Sequence, residues 1–218
     1  MGFSTSRLSV LQRDLLDAVS KQTSRFFLTG GAVLAGWLLG HRSTDDLDLF
    51  TEDDEAMADA DRLVRSTAAG IGATVEPVRT APDFRRYLVR KGGDSVVVDF
   101  VRERVPQLYP KLERDGLRMD SAEEIVVNKL CTLVGRVEVR DLVDLYFLER
   151  AGLAPEQFIQ QAARKDAGVT PATLAWVLSD FRVPDEIPGD VDRETIEAYA
   201  RGLEKRFRRL AMPATHGS

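Results

Sequence analysis

The chain has 218 residues, 44% of them hydrophobic, with a formal net charge of -5 at pH 7, which suits a soluble globule of one domain or two small ones with a sizeable core. No apolar run reaches the length of a membrane span, the N-terminus lacks a signal-peptide pattern, and the acidic balance confines any nucleic-acid surface to a local patch. The single cysteine, Cys131, excludes an internal disulfide and, with only two histidines, a thiolate–imidazole zinc cluster, so the expected location is cytoplasmic.

Met1-Gly2 with Ser6 fits a myristoylation pattern too short to carry weight. Leu8, Leu11, Leu15 and Val19 then recur at helical spacing, marking a helix that covers a sheet and carries no chemistry of its own. Phe26 to Thr29 is a short strand that stops at Gly30-Gly31, where the backbone can turn sharply and approach a ligand. From Ala32 to Leu39 the residues are apolar almost all round, as in a helix packed on a sheet, with Trp37 read as core and His41 near the helix end. Asp46-Leu47-Asp48-Leu49-Phe50 alternates with period two, which sets Asp46 and Asp48 side by side on one face of a strand. Adjacent carboxylates repel, and a divalent cation is the usual remedy. Mg²⁺ is the natural candidate, since it reaches proteins through one or two carboxylates plus substrate phosphates. A bare D-x-D is also what a solvated strand edge looks like. Glycine turn, apolar helix and D-x-D strand in that order resemble the nucleotidyltransferase fold of the polymerase β-like superfamily, which implies triphosphate at the turn and metal at the aspartates.

Farther on, residues 56–69 read as a helix with Met57, Ala60 and Val64 inward. Three β-rich runs follow at 73–78, 84–89 and 95–101, the last two as a hairpin. Asp99 sits in the middle of the third, where an unpartnered carboxylate would be expensive. Two explanations stand: an ion pair with Arg85, Arg86 or Arg90 on the neighbouring strand, or a third carboxylate for a two-metal phosphoryl-transfer site. Residues 105–119 read as an irregular crossover. Ser121-Ala122-Glu123-Glu124 opens a helix with Ile125, Val126, Leu130 and Leu133 inward. Lys129 interrupts that face, so its ammonium either snorkels to water or meets a phosphate. Arg140, Asp141 and Asp144 share helical spacing, which an ion-paired surface face would explain.

Gly30-Gly31, then H-R-S-T-D-D-L-D-L-F, V-V-D-F, K-L and R-x-x-x-R-D-L-V-D-L-Y together resemble the AbiEii/AbiGii nucleotidyltransferase toxins, the MenT-like effectors of type IV toxin–antitoxin systems. The resemblance covers roughly Phe26 to Leu148. It implies that Gly30 and Gly31 contact phosphates, Asp46 and Asp48 bind metal, and Lys129 binds the triphosphate, while Asp141 and Asp144 match the final acidic motif. Thr44 stands where many members carry serine, and Asp99 is a looser match for the carboxylate that helps activate the attacking hydroxyl. The substrate implied is a nucleoside triphosphate, the acceptor RNA at the 3′ end of tRNA, and the partner a cognate antitoxin.

Beyond Arg150 the chain reads as accessory helices, starting at Pro155, Pro171 and Asp192. Trp176 reads as core, and His216 lies in a tail expected to fray. The last helix carries Arg201, Lys205, Arg206, Arg208 and Arg209, which either track an RNA backbone or pair with Glu197 and Glu204. Arg85, Arg86, Arg90 and Lys91 form a second basic cluster on the hairpin. The expected architecture is α/β: a nucleotidyltransferase domain with a small mixed sheet over 1–110 and a helical C-terminal domain over 111–218, with the active cleft between them. Two rival functions stay open on the residues alone, a non-catalytic nucleotide- or partner-binding module and an antibiotic-modifying nucleotidyltransferase.

Overall fold

The computed structural model describes residues 7–212, so Met1-Gly2, Ser6 and His216 lie outside the described residues. The chain divides into two compact units, Met1–Ser121 and Ala122–Ser218.

The first unit opens with α1 (Val10–Ser20), whose N-terminus is closed by a reciprocal capping box between Ser9 and Gln12. Then come β1 (Phe27–Thr29), α2 (Gly30–Val33) and a wider π turn over Leu34–Leu38, closed by the Leu39 amide on the Leu34 carbonyl. β2 (Asp46–Thr51) leads into α3 (Asp54–Gly70), where the Asp53 carboxylate accepts from the amides of Glu55 and Ala56. β3 (Thr74–Ala81), β4 (Phe84–Lys91) and β5 (Asp94–Arg102) form a meander, and β6 (Leu112–Arg114) and β7 (Leu117–Met119) a short hairpin. The seven strands make one mixed sheet in the order β3-β4-β5-β2-β1-β7-β6. β2 runs parallel to β5 and β1 parallel to β7, and the other neighbours are antiparallel.

Period-two alternation divides the sheet into two unlike faces. Leu28, Leu47, Leu49, Tyr87, Val89, Val98 and Phe100 are buried, and α1 and α3 pack on this side. Asp46, Asp48 and Phe50 project from the other face and are only half buried. The expected irregular stretch at 105–119 contains the β6–β7 hairpin instead. Its two-residue turn, Asp115-Gly116, has positive φ at both positions (53° and 75°), the backbone that the right-handed twist of a hairpin favours. Because Met119 pairs with Leu28, this hairpin extends the sheet, and the first unit runs on to Ser121 rather than ending at 110.

The second unit is helical among its described residues: α4 (Ala122–Gly135), α5 (Val139–Arg150), a 3₁₀ turn at Pro155–Phe158, α6 (Ile159–Lys165), α7 (Pro171–Asp180) and α8 (Arg193–Ala211). α4 lies against α5, α6 and α7, which is why Val126, Val127, Leu130 and Leu133 are all fully buried. Thr170 and Asp192 cap α7 and α8 as their sequences indicate. Trp176, expected in the core, is 68% exposed, because Leu174, Ala175 and Leu178 form the inward stripe of α7.

Phe100 is fully buried, with its ring edge-on to Phe26 at 5.1 Å and to Tyr87 at 5.9 Å. Phe100→Ala should therefore lower stability by about 3–5 kcal/mol, read as a lower urea midpoint at unchanged slope. A loss below about 1 kcal/mol would mean that this core is not packed as described.

Candidate active site

The half-buried face of β2 carries the candidate residues Asp46 and Asp48. Parallel pairing with β5 sets Asp48 opposite Asp99, and antiparallel pairing with β1 sets it opposite Thr29. β4 extends the row, because Arg86 faces Asp99. Arg86, Asp99, Asp48 and Thr29 thus lie in one line across four strands, with Asp46 one step along β2 on the same face.

The glycine turn closes over this row. Gly30 has φ +67°, and a Cβ there would lie 2.9 Å from Asp48 Oδ2, so the position demands glycine for conformation and for space. At Gly31 a Cβ would meet Arg42 Nη2 at 2.8 Å and Thr44 Oγ1 at 3.2 Å. Thr44 in turn donates its hydroxyl proton to Asp46 Oδ1 at 2.7 Å. The buried Gln12 holds the backbone here: its amide oxygen accepts from Ser9 N–H and its amide nitrogen donates to the Thr44 carbonyl at 2.8 Å. α1 therefore fixes the loop that presents Asp46, a role its apolar spacing does not disclose.

Asp99 is only 4% exposed, and of the two explanations open for it the structure shows the ion pair. Arg86 donates from Nε to Oδ1 at 2.8 Å and from Nη2 to Oδ2 at 2.6 Å. The hydrogen bond to Asp99 holds the Arg86 guanidinium above its ordinary range, against some desolvation, and the attraction of Asp99, Asp46 and Asp48 adds to it. The other hairpin cations look elsewhere: Arg85 donates to the Ala58 carbonyl, Arg90 pairs with Glu76 and Lys91 with Asp14. At the opposite end of the row Thr29 donates to the buried Asp120 at 2.6 Å, which also accepts from Gln107. Lys111 sits 3.3 Å from the centre of the Phe27 ring. The sequence pattern offers Arg86 as one of three partners for Asp99 but gives no signal at Arg42, Lys111 or Asp120 themselves beside this face. For Asp120 and Lys111 the signal lies in Asp115-Gly116, which marks the hairpin that places them.

In the second unit Lys129 is 8% exposed and does not snorkel. Its ammonium reaches Asp141 Oδ1 and Asp144 Oδ2, each at 2.7 Å. Burial works against the charge, but Asp144 and Asp141 outweigh it, and the lysine pKa is raised. Asp141 Oδ2 is buried with no hydrogen-bond partner among the described residues. The ion-paired surface face is not what forms here, since Arg140 pairs with Glu138 while Asp141 and Asp144 turn inward. On α8, Arg206 is not a surface cation either: its guanidinium grips Glu149 with two nitrogens and Glu156 at 2.6 Å.

Among the described residues no group of three or more His, Cys, Asp and Glu side chains is disposed to hold a metal ion. Asp46 and Asp48 are a pair, and the third carboxylate of the row is taken up by Arg86. The sequence profile described as nucleotidyl transferase AbiEii toxin of a type IV toxin–antitoxin system matches residues 13–212. The chain belongs to the AbiEii nucleotidyltransferase toxin family. It is accordingly a toxin-type nucleotidyltransferase, with a nucleoside triphosphate as substrate and an antitoxin implied by the system. Solved structures share its fold: JHP933 from Helicobacter pylori (TM-score 0.60, 20% identity, 91% of each chain covered), and MenT4, a nucleotidyltransferase toxin from Mycobacterium tuberculosis (TM-score 0.57, 20% identity, 94% of this chain and 83% of that one). Comparison with curated proteins gives no match. No helix among the described residues is long and apolar enough to cross a membrane.

Lys129→Met should cost about 3–5 kcal/mol near neutral pH, because it leaves two buried carboxylates without their cation. The lysine pKa is raised on folding, so its contribution is complete below the ordinary value of 10.5 and is lost as pH climbs through the folded value. The stability gap between wild type and Lys129→Met, measured in urea, should thus be constant from pH 7 to 10 and narrow above 10.5. An unchanged gap in strongly alkaline solution would show that Lys129 is not the cation of this cluster.

Proposed function

We propose that the protein transfers a nucleoside monophosphate from a nucleoside triphosphate to a hydroxyl of RNA, at the 3′ end of tRNA, in a Mg²⁺-dependent reaction in the cytoplasm. The observation that carries this reading is the placement of Asp46, Asp48 and Asp99 on one sheet face with the Gly30 turn against Asp48. The acceptor hydroxyl releases its proton to solvent as its oxygen forms a bond to the α-phosphorus, the bond from that phosphorus to the bridging β-phosphate oxygen breaks, and pyrophosphate leaves.

The donor set fits the ion. Asp46 and Asp48 are hard oxygen ligands, Thr44 orients one of them, and Gly30 leaves space at the other. Bound at these two residues, Mg²⁺ would supply Lewis acidity and neutralise phosphate charge. The remaining work belongs to the protein's own groups. Gly30 and Gly31 let phosphate approach the backbone, and the buried Arg42 guanidinium beside Gly31 offers fixed positive charge. Lys129 is assigned to the triphosphate, and Asp141 and Asp144 to the final acidic motif, on the family resemblance. Their geometry adds that this lysine stays an ammonium.

RNA as acceptor is supported by the groove of about 490 Å³ beside α7 and α8, bordered by Arg182, Arg193, Arg201 and Arg208. These are exposed arginines, three of them in ion pairs with Asp185, Glu197 and Glu204, and such surface pairs are weak enough to exchange for phosphates.

Incubation with each radiolabelled triphosphate, Mg²⁺ and either total RNA or a set of aminoglycosides tests the reading. Label should appear in RNA, depend on Mg²⁺, and fall by about a hundredfold or more in Asp48→Ala. Label in the aminoglycosides would change the acceptor class, and no label with any triphosphate would leave a binding module.

A further inference from the structure

The third carboxylate of the active face is already engaged by a cation of the chain itself. Asp99 accepts hydrogen bonds from Arg86 on both of its oxygens, at 2.8 Å and 2.6 Å, while almost wholly buried. The fork is built into the sheet, because Arg86 and Asp99 are direct partners across β4 and β5, and Asp99 and Asp48 direct partners across β5 and β2. Holding two parallel N–H···O bonds is what the planar guanidinium does best. Pulling a buried carboxylate away from such a partner is costly unless an equal charge replaces it.

We infer that this is a one-cation site, in which the Arg86 guanidinium holds the place against Asp99 that a second divalent ion would take. This rests on the reading of Asp46 and Asp48 as the metal-binding pair and deepens it. Two ions set side by side would both draw on the three carboxylates of the row, and here Arg86 competes for one of them. Arg86 also feels Asp46 and Asp48 through space, so its charge lies where a second ion would act. Its side chain is 43% exposed, and only two of its five N–H groups are committed to Asp99. The others are available to an anionic oxygen of substrate. Arg86 is thus a positioning residue that fixes Asp99 and supplies the charge of the missing ion.

The test counts bound Mn²⁺ by electron paramagnetic resonance on the full chain, saturated with a non-hydrolysable nucleoside triphosphate. Wild type should hold one Mn²⁺ per chain. Arg86→Gln, which keeps a polar amide but shortens the side chain and removes its charge, should hold two, and Arg86→Gln with Asp99→Asn should return to one. Arg86→Lys should stay at one, as a cation is retained. Two Mn²⁺ in wild type would overturn the inference whether or not the variants fold, and so would a count of one in folded Arg86→Gln. Wild-type Mn²⁺ binding that survives Asp48→Asn unchanged would overturn the inference together with the reading of the metal pair beneath it.

Discussion

The parallel pairing of β2 with β5 is the constraint on which the candidate active face depends. It brings Asp48 and Asp99 side by side, with Asp46 one step away, and like charges at that spacing would drive the strands apart unless each were answered locally. Arg86 answers Asp99, and the Thr44 hydroxyl answers Asp46. Gly30 gives Asp48 the space it needs. Those neighbours impose further conditions. Thr44 is held by Gln12, Gln12 is fixed by the capping box of α1, and Arg42 packs on Gly31. A helix whose apolar spacing marks it as a cover for the sheet is thereby tied to the position of Asp46.

The helical unit uses buried charge differently. Lys129 binds Asp141 and Asp144 of α5, Lys165 of α6 binds the fully buried Glu124 of α4, and Arg206 of α8 binds Glu149 of α5 and Glu156. Each joins α4 or α5 to a neighbour in one register. Such pairs add little net stability over an apolar contact, yet removing one member leaves a charge stranded in the interior. Tyr199 is drawn into the last of these networks, where burial, aided by Glu149, pushes its hydroxyl pKa far up. The Lys129 cluster differs from the Arg206 network in depth: its two acids are almost wholly buried, whereas Glu149 and Glu156 stay partly exposed.

Sequence pattern revealed the parts of the fold that follow a period. The D-x-D alternation on β2, the glycine turn, the helix caps at Thr170 and Asp192, and the mixed sheet were legible because each is a local signal with one structural meaning. Pairing across strands was not. Asp99 offered three arginine partners, and only the register of β4 on β5 selects Arg86. The basic final helix shows a second limit. Counting charges gave five cations on α8, but the helix turns Arg206 inward onto two glutamates, so composition overstated the phosphate-facing surface. Trp176 failed the other way, since an aromatic on an apolar helix reads as core whichever side it faces.

The most direct test of the active face is a crystal grown with Mn²⁺ and a non-hydrolysable nucleoside triphosphate, examined by anomalous diffraction at the manganese edge. One peak should lie within bonding distance of Asp46 and Asp48, with the phosphates beside Gly30 and Gly31 and the Arg86 fork still on Asp99. Nucleotide bound away from β2, or manganese with no ligand from Asp46 or Asp48, would contradict the assignment of this face as the catalytic one.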